Sequence, residues 1–460
     1  YCERFIDWII DLLAQLPTRR FFKKLLEHSF LLPAINLSEL VKSQKGELFQ
    51  AIVEKLEYYY FFEVDEFSGS ALTTDEITER HYERIQHLQV IAYKFFSPTL
   101  RAFALRNVAS IENRKNLSSN LSILSSEQIK DLSVRLGLIN EKDNISSDIL
   151  LESIILMHES RPPRLEGLID MPIYPNEDIM WNEELKSSID IFGLRCMALP
   201  KLNLQFLSIH DYLYRNFTLY QLNSAKELKD DLEDVIRRMA PRLSNDGSKT
   251  EFTGWARMSA QIEDFSMDEV VKPNLGETAP SLVTSKVSVN LGTMSPEIQS
   301  EWKSIHQNDI LFLVKISSNV PRDSSPDKNL PFPEAFGIVS VRGCQVEKVF
   351  DGKGNEIGID GTIIARKQDD DKQKRRRNFI RDPNRPDYSD KQYRIDPTIQ
   401  KRTFKVSLDA NQYYVDIRED KDFLYEDKNR TFNVLIRRDI KKNSFKGISQ
   451  SIRKLLSKDT

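Results

Sequence analysis

The densest run of chemistry-bearing side chains is Lys372-Gln373-Lys374-Arg375-Arg376-Arg377-Asn378-Phe379-Ile380-Arg381. Residues 366–381 carry eight Lys/Arg, diluted by three Asp at 369–371. Clustered cations attract phosphates and displace the counterions condensed on nucleic acid. Lys374, Arg375, Arg376, Arg377 and Arg381 are therefore the candidate contacts to RNA or to a partner. A nuclear import signal and a solvated loop are the competing readings of the same residues.

Other chemistries lack their residues. A phosphate-binding loop needs G-x-x-x-x-G-K-[ST], whose backbone N–H groups wrap the phosphates. Asp246-Gly247-Ser248-Lys249-Thr250 lacks both the first glycine and the Gly-Lys step, and reads as a surface turn. Zinc needs clustered Cys and His. Cys2, Cys196 and Cys344 are far apart. His81 and His87 project about 240° apart around a helix and do not face one ligand. His210-Asp211 suggests a catalytic dyad, but neighbouring helical residues diverge by about 100°. The aromatic run Tyr58–Phe62 could stack bases, though at a helix end it reads as core. The expectation is no catalytic residue, no cofactor site and no metal site in these residues.

The elements that must position such groups follow from Gly and Pro. Residues 1–246 hold five of the sixteen Gly and residues 247–361 hold ten. Gly disfavours a helix interior by roughly 1 kcal/mol relative to Ala, so the first part is predicted helical and the second rich in turns. Apolar residues recur at spacings of 3–4 from Cys2 to Leu16, from Phe21 to Leu26, from Leu48 to Tyr59 and from Tyr82 to Phe95. Thr73–Glu76 and Ser125–Gln128 have the form of capping boxes. Helix pairs with short connections suit an α-solenoid of armadillo or HEAT type over 1–160, with an irregular bundle as the alternative. A proline-rich extended connector is predicted over 161–200. Helices follow over 201–245, with a further capping box at Ser224–Glu227 and Pro241 as the stop.

From about residue 250 the period becomes two. Seven or eight short strands with Gly/Pro turns predict a barrel or sandwich over 248–440, and closure favours the barrel. Phe336–Val341 and Gln345–Phe350 are read as strands flanking Arg342-Gly343-Cys344. Residues 366–400 form a basic, proline-bearing insertion, predicted flexible because it holds too little apolar surface to order alone. Residues 441–460 return to helical spacing. The fold class expected is a multidomain α+β chain, an α-solenoid followed by a helical stalk carrying an inserted β-barrel.

Net charge is −3 over 460 residues, so a polycationic coat is excluded while a local basic patch is not. Mean hydropathy is −0.46 and the apolar runs fall far short of ~18 residues, so no transmembrane helix and no membrane partner are expected. Three cysteines fit a reducing compartment. The chain starts at Tyr1 within one helical pattern and ends within another, as a fragment would.

Ala198-Leu-Pro-Lys-Leu-Asn-Leu-Gln-Phe-Leu207, His210-Asp-Tyr-Leu213 and Arg215-Asn-Phe217 resemble the Aquarius family of intron-binding spliceosomal proteins. Tyr1–Phe5, Leu16–Arg20, Met171–Pro175, Gly254–Met258, Val271–Glu277, Val341–Cys344 and Asn411–Tyr413 agree with it in order. The resemblance implies an armadillo-like domain, a stalk interrupted by a β-barrel, and then a superfamily 1 RNA helicase beyond these residues. ATP and Mg would serve only that helicase. The implied setting is nuclear mRNA splicing. The implied partners are helical-repeat scaffold proteins of the spliceosome and intron RNA near the branch site. The implied role of this stretch is a non-catalytic scaffold. The alternative is a single-strand RNA-binding module acting through the barrel.

Overall fold

The computed structural model describes residues 2–42, 47–65, 67–70, 72–161, 171–181, 199–244, 249–275, 277–322, 324–327, 329–358, 363–364, 400–426, 430–438 and 445–456. They divide into two units: Tyr1–Ile169 with Asn182–Tyr220 and Ile452–Thr460, and Asp170–Trp181 with Gln221–Ser451.

The first unit is helical. It contains α1 (Cys2–Leu13), α2 (Leu16–Ser29), α3 (Leu31–Leu37), α4 (Glu39–Lys42), α5 (Glu47–Phe61) and α6 (Thr74–Phe95). After these come α7 (Ser97–Ala104), α8 (Val108–Ile111), α9 (Arg114–Leu121), α10 (Ser126–Arg135) and α11 (Ser147–His158). Both predicted capping boxes form here. The Glu76 amide donates to Thr73 Oγ1 at 3.3 Å, and the Thr73 amide donates back to the Glu76 carboxylate at 2.9 Å. Ser125 and Gln128 repeat the exchange at the start of α10. Pro98 sits in the first turn of α7, where its missing N–H costs nothing. Two apolar cores result. Ile6, Ile10, Leu13, Ile52 and Leu56 centre one, and Ile85, Leu88, Leu100, Leu132 and Ile154 centre the other. Phe30 joins α2 to α3 in the left-handed region, at φ 52°. Burial of its ring in the second core offsets that strained backbone. Tyr58, Tyr59 and Tyr60 are core residues, as the helix-end reading expects.

Two further helices precede the strands: α12 (Glu177–Trp181) and α13 (Ile209–Met239). The strands and their companions are β1 (Pro241–Leu243), β2 (Thr250–Phe252), β3 (Ser259–Val271), β4 (Leu282–Asn290), α14 (Pro296–Lys303), β5 (Ile310–Ile316) and α15 (Phe332–Phe336). The remainder are β6 (Ile338–Asp351), β7 (Glu356–Ile357), β8 (Ile363–Ile364), β9 (Lys401–Leu408), α16 (Ala410–Arg418), α17 (Phe423–Glu426), β10 (Val434–Arg437) and α18 (Phe445–Leu456). Strands β5-β10-β3-β4-β9-β6 pair in that order, and β6 pairs back onto β5, so six antiparallel strands close a barrel. Leu311 faces Cys344 across the closing pair. Register shifts with extra residues in β3 and β6 supply the local bends that closure requires. Val283, Val287, Phe404, Val406, Leu313 and Val346 fill the interior.

Several sequence expectations are corrected here. Ser224–Glu227 starts no helix: α13 runs unbroken through it, because Phe217, Gln221, Ala225, Leu228 and Leu232 keep one face buried. Packing of that face outweighs a local cap signal. Leu204 and Leu207 precede the helix rather than lying in it. Arg342-Gly343-Cys344 does not separate two strands but lies inside the single strand β6, and Phe336 belongs to α15. Helices α14, α16 and α17 were not expected within the β region. α14 brings Trp302 and α17 brings Leu424 and Tyr425 into the barrel core, and α16 packs Ala410 and Tyr413 against it. Helix lengths from 4 to 22 residues over 2–158 give helical layering without a uniform repeat.

Candidate functional site

Lys374, Arg375, Arg376, Arg377 and Arg381, with the whole run 366–399, lie outside the described residues. The other chemical candidates are resolved by their partners. His210 does not form a dyad with Asp211. The Asp211 carboxylate accepts from Arg215 Nε at 3.0 Å and from the Leu207 amide at 3.0 Å. Arg215 donates onward to the carbonyls of Lys201 and Gln205, both at 2.9 Å. This buried pair therefore folds the segment 201–207 back onto α13. His81 Nε2 lies 3.1 Å from a Glu112 carboxylate oxygen. Thr250 Oγ1 accepts from the Ser318 amide. Among the described residues no group of three or more His, Cys, Asp or Glu could hold a metal ion. No helix among them is long and apolar enough to cross a membrane.

The most elaborate polar site joins the segment 171–181 to the barrel. Arg342 projects from β6 and bonds Asp416 of α16 through Nε and Nη2, each at 2.7 Å, and Glu177 of α12 through Nη2 at 3.1 Å. Gln412 Nε2 and the Tyr425 hydroxyl also donate to Asp416. Burial alone would lower the Arg342 guanidinium. The hydrogen bonds and charges of Asp416 and Glu177 outweigh it and hold the pKa above its ordinary value. Neighbouring Asp178 is pushed up by its own burial and by the charge of Glu177. Asp409 caps α16 through the Asn411 amide at 3.1 Å and also accepts from the Ile173 amide. Tyr174 packs against Gly343, where a Cβ would come within 2.3 Å of its ring. The enclosed space between Tyr174, Arg342, Asp409 and Gln412 is about 10 Å³, the size of roughly one water. The arrangement is a clamp. It has no room for a nucleotide. Cys344 behind it is buried, and that burial pushes its thiol up to about 12, away from the reactive thiolate.

Six cations on the barrel surface are tied to carboxylates. Lys286 and Lys405 share Asp268, Lys401 lies 3.3 Å from Glu263, and Lys348 lies 3.1 Å from Glu356. Arg257 and Arg437 share Glu301.

Sequence reasoning quoted Arg342 but missed its role. A lone arginine within the apolar run Val341-Arg-Gly-Cys344 is the available signal, since a buried charge must be paired. Its partners, 74 and 165 residues away along the chain, carry no mark of their own.

Two family models match the chain. The one described as intron-binding protein aquarius N-terminal covers residues 1–162, and the one described as intron-binding protein aquarius, beta-barrel covers 240–438. The chain is 39% identical, along 100% of its length, to a mouse (Mus musculus) protein described as RNA helicase aquarius, and covers 29% of that protein. It is 21% identical over 68% of its length to pre-mRNA-splicing factor cwf11 of Schizosaccharomyces pombe, covering 24% of that relative. It thus spans under a third of the curated relatives it matches. With both domains in family order and the similarity unbroken from end to end, the chain belongs to the Aquarius family.

Proposed function

We propose that this chain is the docking and scaffold region of an Aquarius-like, intron-binding RNA helicase that acts in pre-mRNA splicing in the nucleus. Its helical part stacks as an armadillo-like solenoid against helical-repeat proteins of the spliceosome. ATP and Mg serve helicase domains outside these residues, which hold intron RNA near the branch site. The observation that carries the scaffold reading is the pairing of Lys286, Lys405, Lys401 and Lys348 with carboxylates across the β3–β4–β9–β6 face. A single-strand RNA platform needs free cations beside exposed rings, and each of these cations is already held by a carboxylate, Lys286 and Lys405 by the same one. The second reading, an RNA-binding barrel, draws on the run Lys374–Arg381 alone, as an auxiliary phosphate contact. The test adds excess 460-residue chain to a splicing extract. A docking region competes with the full-length protein and lowers splicing of a reporter pre-mRNA in proportion to its concentration. Unchanged splicing at a hundredfold excess (order of magnitude) would refute it.

A further inference from the structure

Helix α6 keeps one face in solvent along its length. Its buried residues are Ile85, Leu88, Ile91 and Ala92, and none of residues 74–84 is buried. The capping box at Thr73 holds those first turns helical. At about 100° per residue, Asp75, Glu79, Tyr82, Gln86, Val90 and Tyr93 fall within roughly 40° of one line along the helix. Tyr82, Val90 and Tyr93 are 42, 47 and 51% exposed. Asp75, Glu79, Tyr82 and Gln86, with Thr78 and Glu83, line an open depression at the N-terminal end of this strip. Apolar side chains at helical spacing, exposed on a helix that is already formed, make a face for another helix, and little ordering remains to be done on binding.

The charges divide along the strip. Asp75, Glu79 and Glu83 carry no ion pair among the described residues. The cations of the same turns serve other groups. Arg84 bonds Glu63 at 3.1 Å. Arg80 lies about 120° around the helix from Gln86, and its charge acts on Asp65 and Glu76. His81 is held by Glu112. Lys94, in the last turn, and Arg106, whose carbonyl accepts from Gln89 at 2.8 Å, stand toward the other end. The strip thus begins acidic and ends flanked by cations. Helices favour acids in the first turn and cations in the last. A partner helix of that ordinary polarity brings its cations to the three carboxylates only by running antiparallel to α6. A second copy of this chain fits less well, since antiparallel pairing about Gln86 sets Glu79 opposite Tyr93 and Glu83 opposite Gln89 rather than opposite a cation. We propose that this strip receives an amphipathic helix of a protein partner, antiparallel to α6, whose apolar residues pack on Tyr82, Val90 and Tyr93 and whose last turns carry Lys or Arg facing Asp75, Glu79 and Glu83. This deepens the docking function proposed above and rests on it.

The test uses the full-length protein added back to a splicing extract depleted of it, with radiolabelled pre-mRNA. Tyr82→Ala combined with Tyr93→Ala weakens incorporation into the splicing complex about thirtyfold. It leaves the Tm within about two degrees, since alanine favours a helix more than an exposed tyrosine does. Glu79→Lys combined with Glu83→Lys weakens incorporation about tenfold, and that loss shrinks as salt rises. A benzophenone side chain at position 86 gives an adduct with a protein. Its crosslinked segment, read by mass spectrometry, repeats apolar residues every three or four positions and carries Lys or Arg in its last turns. Reversing those cations to Glu restores incorporation of the charge-reversed protein. An adduct with RNA, with the protein's own chain or with a second copy would overturn the inference. So would the absence of an adduct, a crosslinked segment without those cations, equal incorporation of either variant, or a clear fall in the Tm of the tyrosine variant. Normal incorporation of wild type together with indifferent variants defeats this inference alone. Failure of the wild type to enter the complex defeats the docking function as well.

Discussion

At the scale of single residues, Arg342 holds three segments of the fold together. Its guanidinium is buried, and removing it leaves Asp416 without its cation and Glu177 with only Lys421, 4.0 Å away. Breaking such a pair costs about 3–5 kcal/mol, whereas replacing all its members with apolar groups can be neutral. Arg342→Met should therefore lower the urea midpoint strongly, and adding Glu177→Gln and Asp416→Leu should recover part of the loss. A single variant costing under about 1 kcal/mol would show that the clamp is not closed in solution. His158 gives a pH signature. Burial, with smaller contributions from Arg84, His81 and His87, lowers its pKa to about 4, against the hydrogen bond its Nδ1 makes to the Ile154 carbonyl. The folded state holds it neutral while the unfolded chain protonates near 6.5. Its contribution is fully present above about pH 6.5 and is lost as pH falls toward 4, on the order of 3 kcal/mol in all. His158→Gln should flatten the stability profile across that window. An unchanged slope would place the ring in water.

Local chemistry set the elements where local chemistry was decisive. The capping boxes at Thr73 and Ser125 were legible because each is complete within four residues. The same pattern at Ser224 misled, because the buried face of α13 continues across it and tertiary packing decides. Thr73→Ala should cost about 1 kcal/mol, the ordinary loss of an N-cap, while Ser224→Ala should stay within several tenths. Equal losses by thermal denaturation would restore a helix break at Ser224. The apolar run Asp309–Ile316 and the stretch Arg402–Leu408 locate β5 and β9 within one residue, while the alternation over Lys286–Leu291 finds only the second half of β4. Arg342-Gly343 hid the continuity of β6, since a charge and a glycine usually end a strand; the carboxylates of Asp416 and Glu177 account for the first and Tyr174 against Gly343 for the second. The helices α14, α16 and α17 were illegible because they are short and draw their order from the barrel ends they fill.

At the scale of the molecule, barrel closure was foreseeable from strand number and the cost of open edges, and β6 pairing with β5 realises it. The buried ion network was not, because its members come from three distant segments. The central claim is that the described surfaces serve docking and that any affinity for RNA comes from the basic run. The direct measurement is fluorescence anisotropy of a labelled single-stranded RNA titrated with the 460-residue chain in which 366–400 is replaced by a short Gly/Ser linker. None of the six barrel strands includes the replaced residues beyond the turn at Gln400, so the variant should keep its Tm within a few degrees. The account predicts no saturable binding up to about 100 μM at physiological salt, with weak residual binding in the intact chain that falls steeply as salt rises. Saturable binding by the replaced chain at about 1 μM, with a steep salt slope of its own, would contradict it and make the barrel the RNA-binding element.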